Sequence, residues 1–467
     1  MEWNRLLRKK PITAHNHGKS YLRRCLTAFD LTFLGIGAII GAGIFVLTGI
    51  AAATRAGPSI ILSYAFAGFA CTLAALSYAE LSSSIGGCGS AYGYALAGLG
   101  ELIAWIIGWD LLLEYGMACS TVAIGWSGYV HNALYAVGIV IPDILMKGPF
   151  EGGIINFPAM IIVLIIMLLL IMGVRESAKV NMWVVFIKIA AIIFFIVIAA
   201  LHFNAHNWKP FLPFGFQGVV NGAALIFFAY VGFDAVSTAA EEAVRPERDL
   251  PIGLLLSLGI CTLIFMSVSG LLTGIAKYTS LNVSSPVSQA LINLSYHAYA
   301  GIIAIGAIAG LTTVILVMYY GFTRVFLAMS RDGLLPPFFS KIHPKTQTPT
   351  RIIFLIGVLI AMIAGFFPIH NLAELVNIGT LAAFIAVSLG LVIMRYTKPD
   401  MPRPFKAPFS PLIPVLGVIC CLYLMMNLPK LAWISFFIWT TMGLLIYFSY
   451  SRTHSILAGD QLESGVD

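Results

Sequence analysis

Twelve apolar stretches take up most of the chain: residues 28–54, 58–85, 96–129, 153–174, 180–203, 217–242, 250–275, 298–325, 351–367, 372–394, 411–428 and 431–450. A membrane-crossing helix needs about 20 apolar residues, and no other feature limits the fold so strongly. Only 10% of the residues are charged and 59% are hydrophobic, whereas a soluble domain carries about 25% charged residues. The expected fold is therefore an all-α integral membrane protein with twelve transmembrane helices. The loops are short, so residues 28–450 read as one transmembrane domain. Residues 1–27 and 451–467 read as cytoplasmic ends, the second of them loose.

The charges give the orientation. With the N-terminus inside, 21 of the 27 Lys and Arg residues fall on the inner side. Five fall on the outer side, Arg55, Lys147, Lys209, Lys277 and Lys430, and one, Lys188, lies within a span. Such asymmetry is the positive-inside signature and predicts a multi-pass protein of the cytoplasmic membrane with both termini inside. The polar, basic start has no cleavable signal pattern, so the first span is expected to stay as a helix. The net charge of +7 thus belongs to topology and gives no reason to invoke nucleic acid. The seven cysteines lack metal-ligand spacing and read as small core residues. No phosphate loop, zinc motif or catalytic signature is visible, which argues against an enzyme.

Within the first span, Gly35-Ile36-Gly37-Ala38-Ile39-Ile40-Gly41-Ala42-Gly43-Ile44-Phe45 carries four glycines in nine positions. Each costs about 1 kcal/mol of helix stability relative to alanine. Two readings remain open from these residues alone. One is a close-packing face, for which Gly37 and Gly41 have the spacing. The other is a break of the helix at Gly41-Ala42-Gly43, where unwound backbone would line a cavity. The sixth segment carries an echo, Phe227-Phe228-Ala229-Tyr230-Val231-Gly232-Phe233-Asp234-Ala235-Val236-Ser237. If the chain is two five-helix repeats, segments one and six correspond, and an odd helix count inverts the second repeat. Paired broken helices in inverted repeats point to the central site of a transporter.

Ionisable groups inside spans are costly and read as functional candidates. Lys188 has apolar neighbours for a full turn either way, so it is a candidate proton carrier. The alternative is a structural lysine donating to carbonyls of a broken helix. Asp110 and Glu114 share a helix face; Glu114 could attract a cationic side chain, and Asp110 reads as more structural. Asp234 sits on the second break, where it could contact substrate, cap a half-helix or gate. Glu80, Glu241 and Glu242 lie near inner helix ends and read as partners for inner Arg and Lys.

A half-helix starting after Gly43 would offer free N–H groups and a positive dipole end, which suits a carboxylate. One ending near Phe228–Tyr230 would offer carbonyls, which suits an ammonium. The candidate substrate-binding residues are thus Ile40, Gly41, Ala42, Gly43, Glu114, Phe228, Ala229, Tyr230, Phe233 and Asp234. Phe228, Tyr230 and Phe233 are the expected lid and side-chain pocket.

Several motifs in order resemble the amino acid–polyamine–organocation (APC) superfamily, and within it the cationic amino acid transporter family in its bacterial form. They are Gly35–Phe45 with Val46-Leu-Thr-Gly, Tyr78-Ala-Glu-Leu, Gly89-Ser-Ala-Tyr92 and Gly108-Trp-Asp-Leu-Leu-Leu-Glu-Tyr115. Phe228-Ala-Tyr-Val-Gly-Phe-Asp234, Glu241-Glu242 with Arg248-Asp-Leu-Pro-Ile-Gly253, and Met329-Ser-Arg-Asp-Gly-Leu-Leu-Pro336 continue the series. The resemblance covers nearly the whole chain. It implies the leucine-transporter-type 5+5 inverted repeat, alternating access, and a substrate held between helices 1 and 6 with helices 3, 8 and 10 around it. It further implies that the Lys188 ammonium stands in the place of a sodium ion, which favours proton over sodium coupling, and that Glu114 and Asp234 lie near the side-chain end of the pocket. Two departures stand out. The helix 2–3 connection reads Ile85-Gly-Gly-Cys-Gly-Ser without the family's proline, and Ala42 replaces a frequent Ser or Thr.

The expected function is import of amino acids, cationic or small and neutral, by proton symport, with no cofactor beyond the proton gradient. An exchanger or facilitator of the same fold is the alternative, and a membrane nutrient sensor a distant one. The expected partners are the amino acid and membrane lipid, with a small single-helix accessory subunit as a further candidate.

Overall fold

The computed structural model describes residues 8, 26–85, 91–136, 138–173, 178–238, 243–346 and 348–457. The connection 86–90, Glu241-Glu242 and the end after 457 lie outside the described residues, as does most of the segment before Leu26.

All twelve apolar segments fall on helix. The first begins at α1 (Ala28–Ile39), started by a capping box in which Thr27 and Asp30 satisfy each other's backbone N–H. It continues after a break through a π-helical turn, Gly43–Leu47, then α2 (Thr48–Ala51) and a second π-helical turn, Ala52–Ala56. Then come α3 (Ile60–Ile85), α4 (Ala91–Gly98) and α5 (Glu101–Ala136). The third segment, expected from residue 96, starts instead at Glu101. Gly100, with φ +108°, turns the chain between α4 and α5 in a conformation that suits glycine.

α6 (Phe157–Ile171) and α7 (Ala178–Leu201) follow, then α8 (Gly215–Ile226) and α9 (Ala235–Thr238), which flank the second break. α10 (Pro246–Ile275) starts four residues ahead of its apolar run, because Pro246 at its first position and Glu247 and Asp249 in its first turn favour initiation. A short α11 (Pro286–Asn293), which the apolar pattern does not signal, precedes α12 (His297–Arg331). The chain ends with α13 (Thr350–Phe366), α14 (Ile369–Thr397), α15 (Leu412–Met426), α16 (Lys430–Ile446) and α17 (Arg452–His454). Among the described residues there is no strand, only one isolated bridge between Leu26 and Ala243. Among the described residues, seven helical runs are long and apolar enough to cross a membrane, and five shorter apolar helices accompany them.

Two groups of helices face each other. In one, α10 packs along α1 and α3; in the other, α5 packs along α12 and α13 along α6. α14 lies against both α5 and α3. α16 is held to α5 by a stack of indoles in which Trp109 and Trp439 each donate to the other's carbonyl, at 2.9 and 3.0 Å. The end expected to be loose is docked as far as it is described. Ser455 donates to the buried Glu101 at 2.6 Å and the Ile456 N–H to the Asp332 carbonyl at 3.1 Å.

Candidate functional site

The first segment does break, one residue earlier than the glycines suggest. Ile40 is extended (φ −74°, ψ 96°), whereas Ala42 is already helical (φ −61°, ψ −22°). The interruption is therefore Ile40-Gly41, and Ala42 and Gly43 open the next half-helix. Close packing is equally real. A Cβ on Gly43 would run into the Ala229 backbone, and one on Gly35 would lie 2.7 Å from Ser257 Cβ. The two readings of the glycine stretch are thus compatible: the glycines let the two broken segments touch.

Breaking a helix strands the carbonyls of its last turn. Lys188 on α7, fully buried, answers this by donating from Nζ to the carbonyls of Gly37 at 2.6 Å and Ile40 at 3.1 Å. On the other side of the break, the N–H groups of Gly41, Ala42, Gly43 and Ile44 meet no hydrogen-bond acceptor among the described residues, and the next bond is Phe45 N–H to the Gly41 carbonyl at 3.3 Å. Four free donors at a helix start are an arrangement that suits an anion.

In the sixth segment, α8 tightens into a 3-10 turn, Phe227–Tyr230, and Val231 turns extended (ψ 134°). Gly232 has φ +104°, which explains why a glycine stands there. Asn377 on α14 donates to the carbonyls of Ala224 and Leu225, both at 2.8 Å. These lie ahead of the carbonyls near Phe228–Tyr230 that the half-helix argument concerns, of which that of Phe228 accepts the Val231 N–H at 3.2 Å.

A small cavity lies between the breaks. Its walls are Ala38, Ile39 and Gly41–Gly43 from the first segment, Phe228 and Val231 from the sixth, Ala118 and Val122 from α5, and Val314 and Met318 from α12. Among the described residues no charged side chain lines it. Of the residues expected from sequence, Gly41, Ala42, Gly43 and Phe228 are in its wall. Ile40 gives its carbonyl to Lys188, and Ala229 packs behind Gly43.

The other four lie elsewhere. Tyr230 points towards α3, where its hydroxyl donates to the Tyr64 carbonyl at 2.9 Å, so it is not a pocket wall. Phe233 is packed between Tyr78 and Phe384, with ring centroids at 5.5 and 5.0 Å. Asp234 accepts the Tyr115 hydroxyl at 3.2 Å. Glu114 is buried one helical turn from Ala118, and its Oε1 meets no donor among the described residues; Asp110 Oδ1 is in the same position. The wall residues that sequence reasoning did not name as candidates, Ala38, Ile39, Ala118, Val122, Val231, Val314 and Met318, are apolar residues in apolar segments and carry no signal of their own.

Two ion clusters bracket the cavity along α14. At one end Arg55 pairs with Glu374 at 3.1 Å. At the other, the buried Glu80 accepts from Arg395 Nε at 2.9 Å, from the second Arg395 nitrogen, and from the Ala407 N–H at 2.7 Å, with Arg403 Nε at 3.4 Å. Glu80 thus pairs with basic residues as its position suggests. The described cysteines, Cys71, Cys119, Cys261, Cys420 and Cys421, are free, and all but Cys420 are buried.

A family model described as amino acid permease matches residues 26–450. The chain is 48% identical to the methylthioribose transporter of Bacillus subtilis (strain 168), covering 97% of this chain and 99% of that one. It is likewise 48% identical to the branched-chain amino acid permease BcaP of the same organism, again over 97% and 99%. To the vacuolar cationic amino acid transporter 4 of Arabidopsis thaliana it is 38% identical, over 85% of this chain and 68% of that one. With the family match spanning the broken helices and the cavity between them, the chain belongs to the amino acid permease family of the APC superfamily and is a transporter rather than an enzyme.

Proposed function

We propose that this permease imports small and branched aliphatic amino acids by proton symport. The observation that carries the choice of side chain is the cavity wall, which is apolar and, among the described residues, holds no charged group. The substrate carboxylate is held by the free N–H groups of Gly41–Ile44, and the side chain lies against Phe228, Val231, Val314 and Met318. The 48% identity to a branched-chain amino acid permease supports this reading.

In the same reading residues 28–450 form one transport unit of twelve helices. It is arranged as five plus five inverted repeats with both ends cytoplasmic, and it works by alternating access. Lys188 is the proton-coupling group. It donates to two carbonyls of the first break, a position that leaves no need for sodium. A second reading, transport of cationic amino acids, is favoured by Glu114. This carboxylate lies one turn from the cavity and has an oxygen without a donor among the described residues.

The test is uptake into proteoliposomes of the twenty amino acids and methylthioribose, with and without an inward proton gradient and with and without sodium. Leucine, isoleucine, valine and alanine are expected to be strongest, driven by acid outside and indifferent to sodium. Arginine or lysine as the strongest substrate, with loss on Glu114→Gln, would replace this reading by the second. Uptake that needs a counter-substrate inside and ignores pH would make the protein an exchanger.

A further inference from the structure

The Gly43 carbonyl receives more donors than a helix supplies. Because the turn Gly43–Leu47 is π-helical, this carbonyl takes the N–H of Thr48, where an α-turn would bring that of Leu47. It is also met by the hydroxyls of Thr48 at 3.1 Å and Tyr64 at 3.2 Å. The Thr48 hydroxyl can instead reach the Ile44 carbonyl at 2.9 Å. The two hydroxyls are themselves 2.7 Å apart, and with one proton each, Tyr64 is the one that donates to Gly43 when Thr48 donates to Tyr64.

Tyr64 is fully buried on α3, and its ring sits against Tyr230 and Phe265 at 6.4 and 5.4 Å. Its own backbone carbonyl accepts the Tyr230 hydroxyl. The second broken segment thus orders the residue that holds the first.

A π-turn holds one residue more than an α-turn. Collapsing it would rotate the chain ahead of it by about 100°. That rotation would carry the N–H groups of Gly41, Ala42 and Gly43 away from the cavity they line. Donors on the Gly43 carbonyl from outside the helix oppose the collapse, since the wide turn is what opens that carbonyl to them.

We propose that Tyr64, assisted by Thr48, is a positioning residue for the carboxylate site. Its hydroxyl pins the Gly43 carbonyl in the wide turn and so keeps the N–H groups of the break aimed at the substrate. The inference rests on the reading that these N–H groups hold the carboxylate. It assigns Tyr64 no contact with substrate.

The experiment compares binding of leucine and of leucinamide, which lacks the carboxylate, to purified full-length protein and to Tyr64→Phe. The wild type should prefer leucine. Loss of one buried hydrogen bond should weaken leucine binding by about tenfold in Tyr64→Phe and leave leucinamide nearly unchanged, so that the preference collapses. A merely structural tyrosine would weaken both ligands alike, and that outcome overturns the proposal, as does an unchanged preference. If Tyr64→Phe does not fold, Thr48→Val carries the same comparison, with a smaller loss of preference expected. A wild type that binds neither ligand, or both equally, removes the carboxylate reading and the positioning role with it. A wild type that discriminates beside variants that discriminate equally removes the positioning role alone.

Discussion

Lys188 stands where two carbonyls would otherwise have no donor. Each buried group left unsatisfied costs about 1–3 kcal/mol, so Lys188→Met should lower the melting temperature of the purified protein as well as abolish acid-driven uptake. An unchanged melting temperature would deny the structural role; uptake with its pH dependence intact would deny the coupling role. This residue was legible in sequence because an ionisable group deep in an apolar run is rare and costly. The glycines were legible for a similar reason, since each weakens a helix that needs only to be apolar. Tyr230 and Phe233 were legible as neighbours of a break, but not as to where they point. Gly232 turns the backbone with φ +104°, after which Phe233 faces Tyr78 and Phe384 rather than the cavity. For Val314 and Met318 the resemblance reached the helix but not the residues, because one apolar residue among many does not declare which face of α12 meets a cavity.

The elements that shape the site are two interrupted helices, and their interruptions are tied to α14. Asn377 takes carbonyls at the end of α8, and Glu374, less than one turn earlier on α14, pairs with Arg55 beyond the first break. The Arg55 side chain is 34% exposed and that of Glu374 8%, and a single nitrogen reaches the carboxylate, at 3.1 Å, so the pair has one part-solvated partner and one bond between its ends. A contact that weak suits a closure that must open in every cycle. Glu374→Gln should therefore leave the melting temperature almost unchanged and expose the cavity from the Arg55 side. In a cysteine-free background, a thiol placed at Ala42 should react up to about fivefold faster with a membrane-impermeant reagent when Glu374 is replaced. A rate that stays the same would show that the pair closes nothing. Helices were easy to read from apolar length, but their ends were not. The break moved from Gly41–Gly43 to Ile40-Gly41, and α10 began early, because local backbone geometry and capping set these boundaries and composition does not.

For the whole molecule, the two ends of α14 are held with unequal strength. The Glu80 carboxylate, at 1% side-chain exposure, takes two nitrogens of Arg395 and the Ala407 N–H, with Arg403 close by. It joins α3, in the group with α1 and α10, to the far end of α14. Both clusters join a buried carboxylate to a part-exposed arginine, 26% for Arg395 and 34% for Arg55, but Glu80 takes three donors with a second arginine close by, where Glu374 takes one among the described residues. The difference is enough to decide which side of the protein gives way. Helix groups that rock about a central cavity will part first where fewer bonds cross between them, so the substrate-free protein should open on the Arg55 side. Glu80→Gln should reverse this. It should lower the melting temperature far more than Glu374→Gln, and it should make a thiol at Ala42 react from the opposite face in oriented vesicles. Equal melting temperatures for the two variants, or labelling that stays on the Arg55 side in both, would mean that the ion clusters do not set the resting state. The preference would then have to come from apolar packing between α5, α12 and the broken segments, where the cavity already interrupts it.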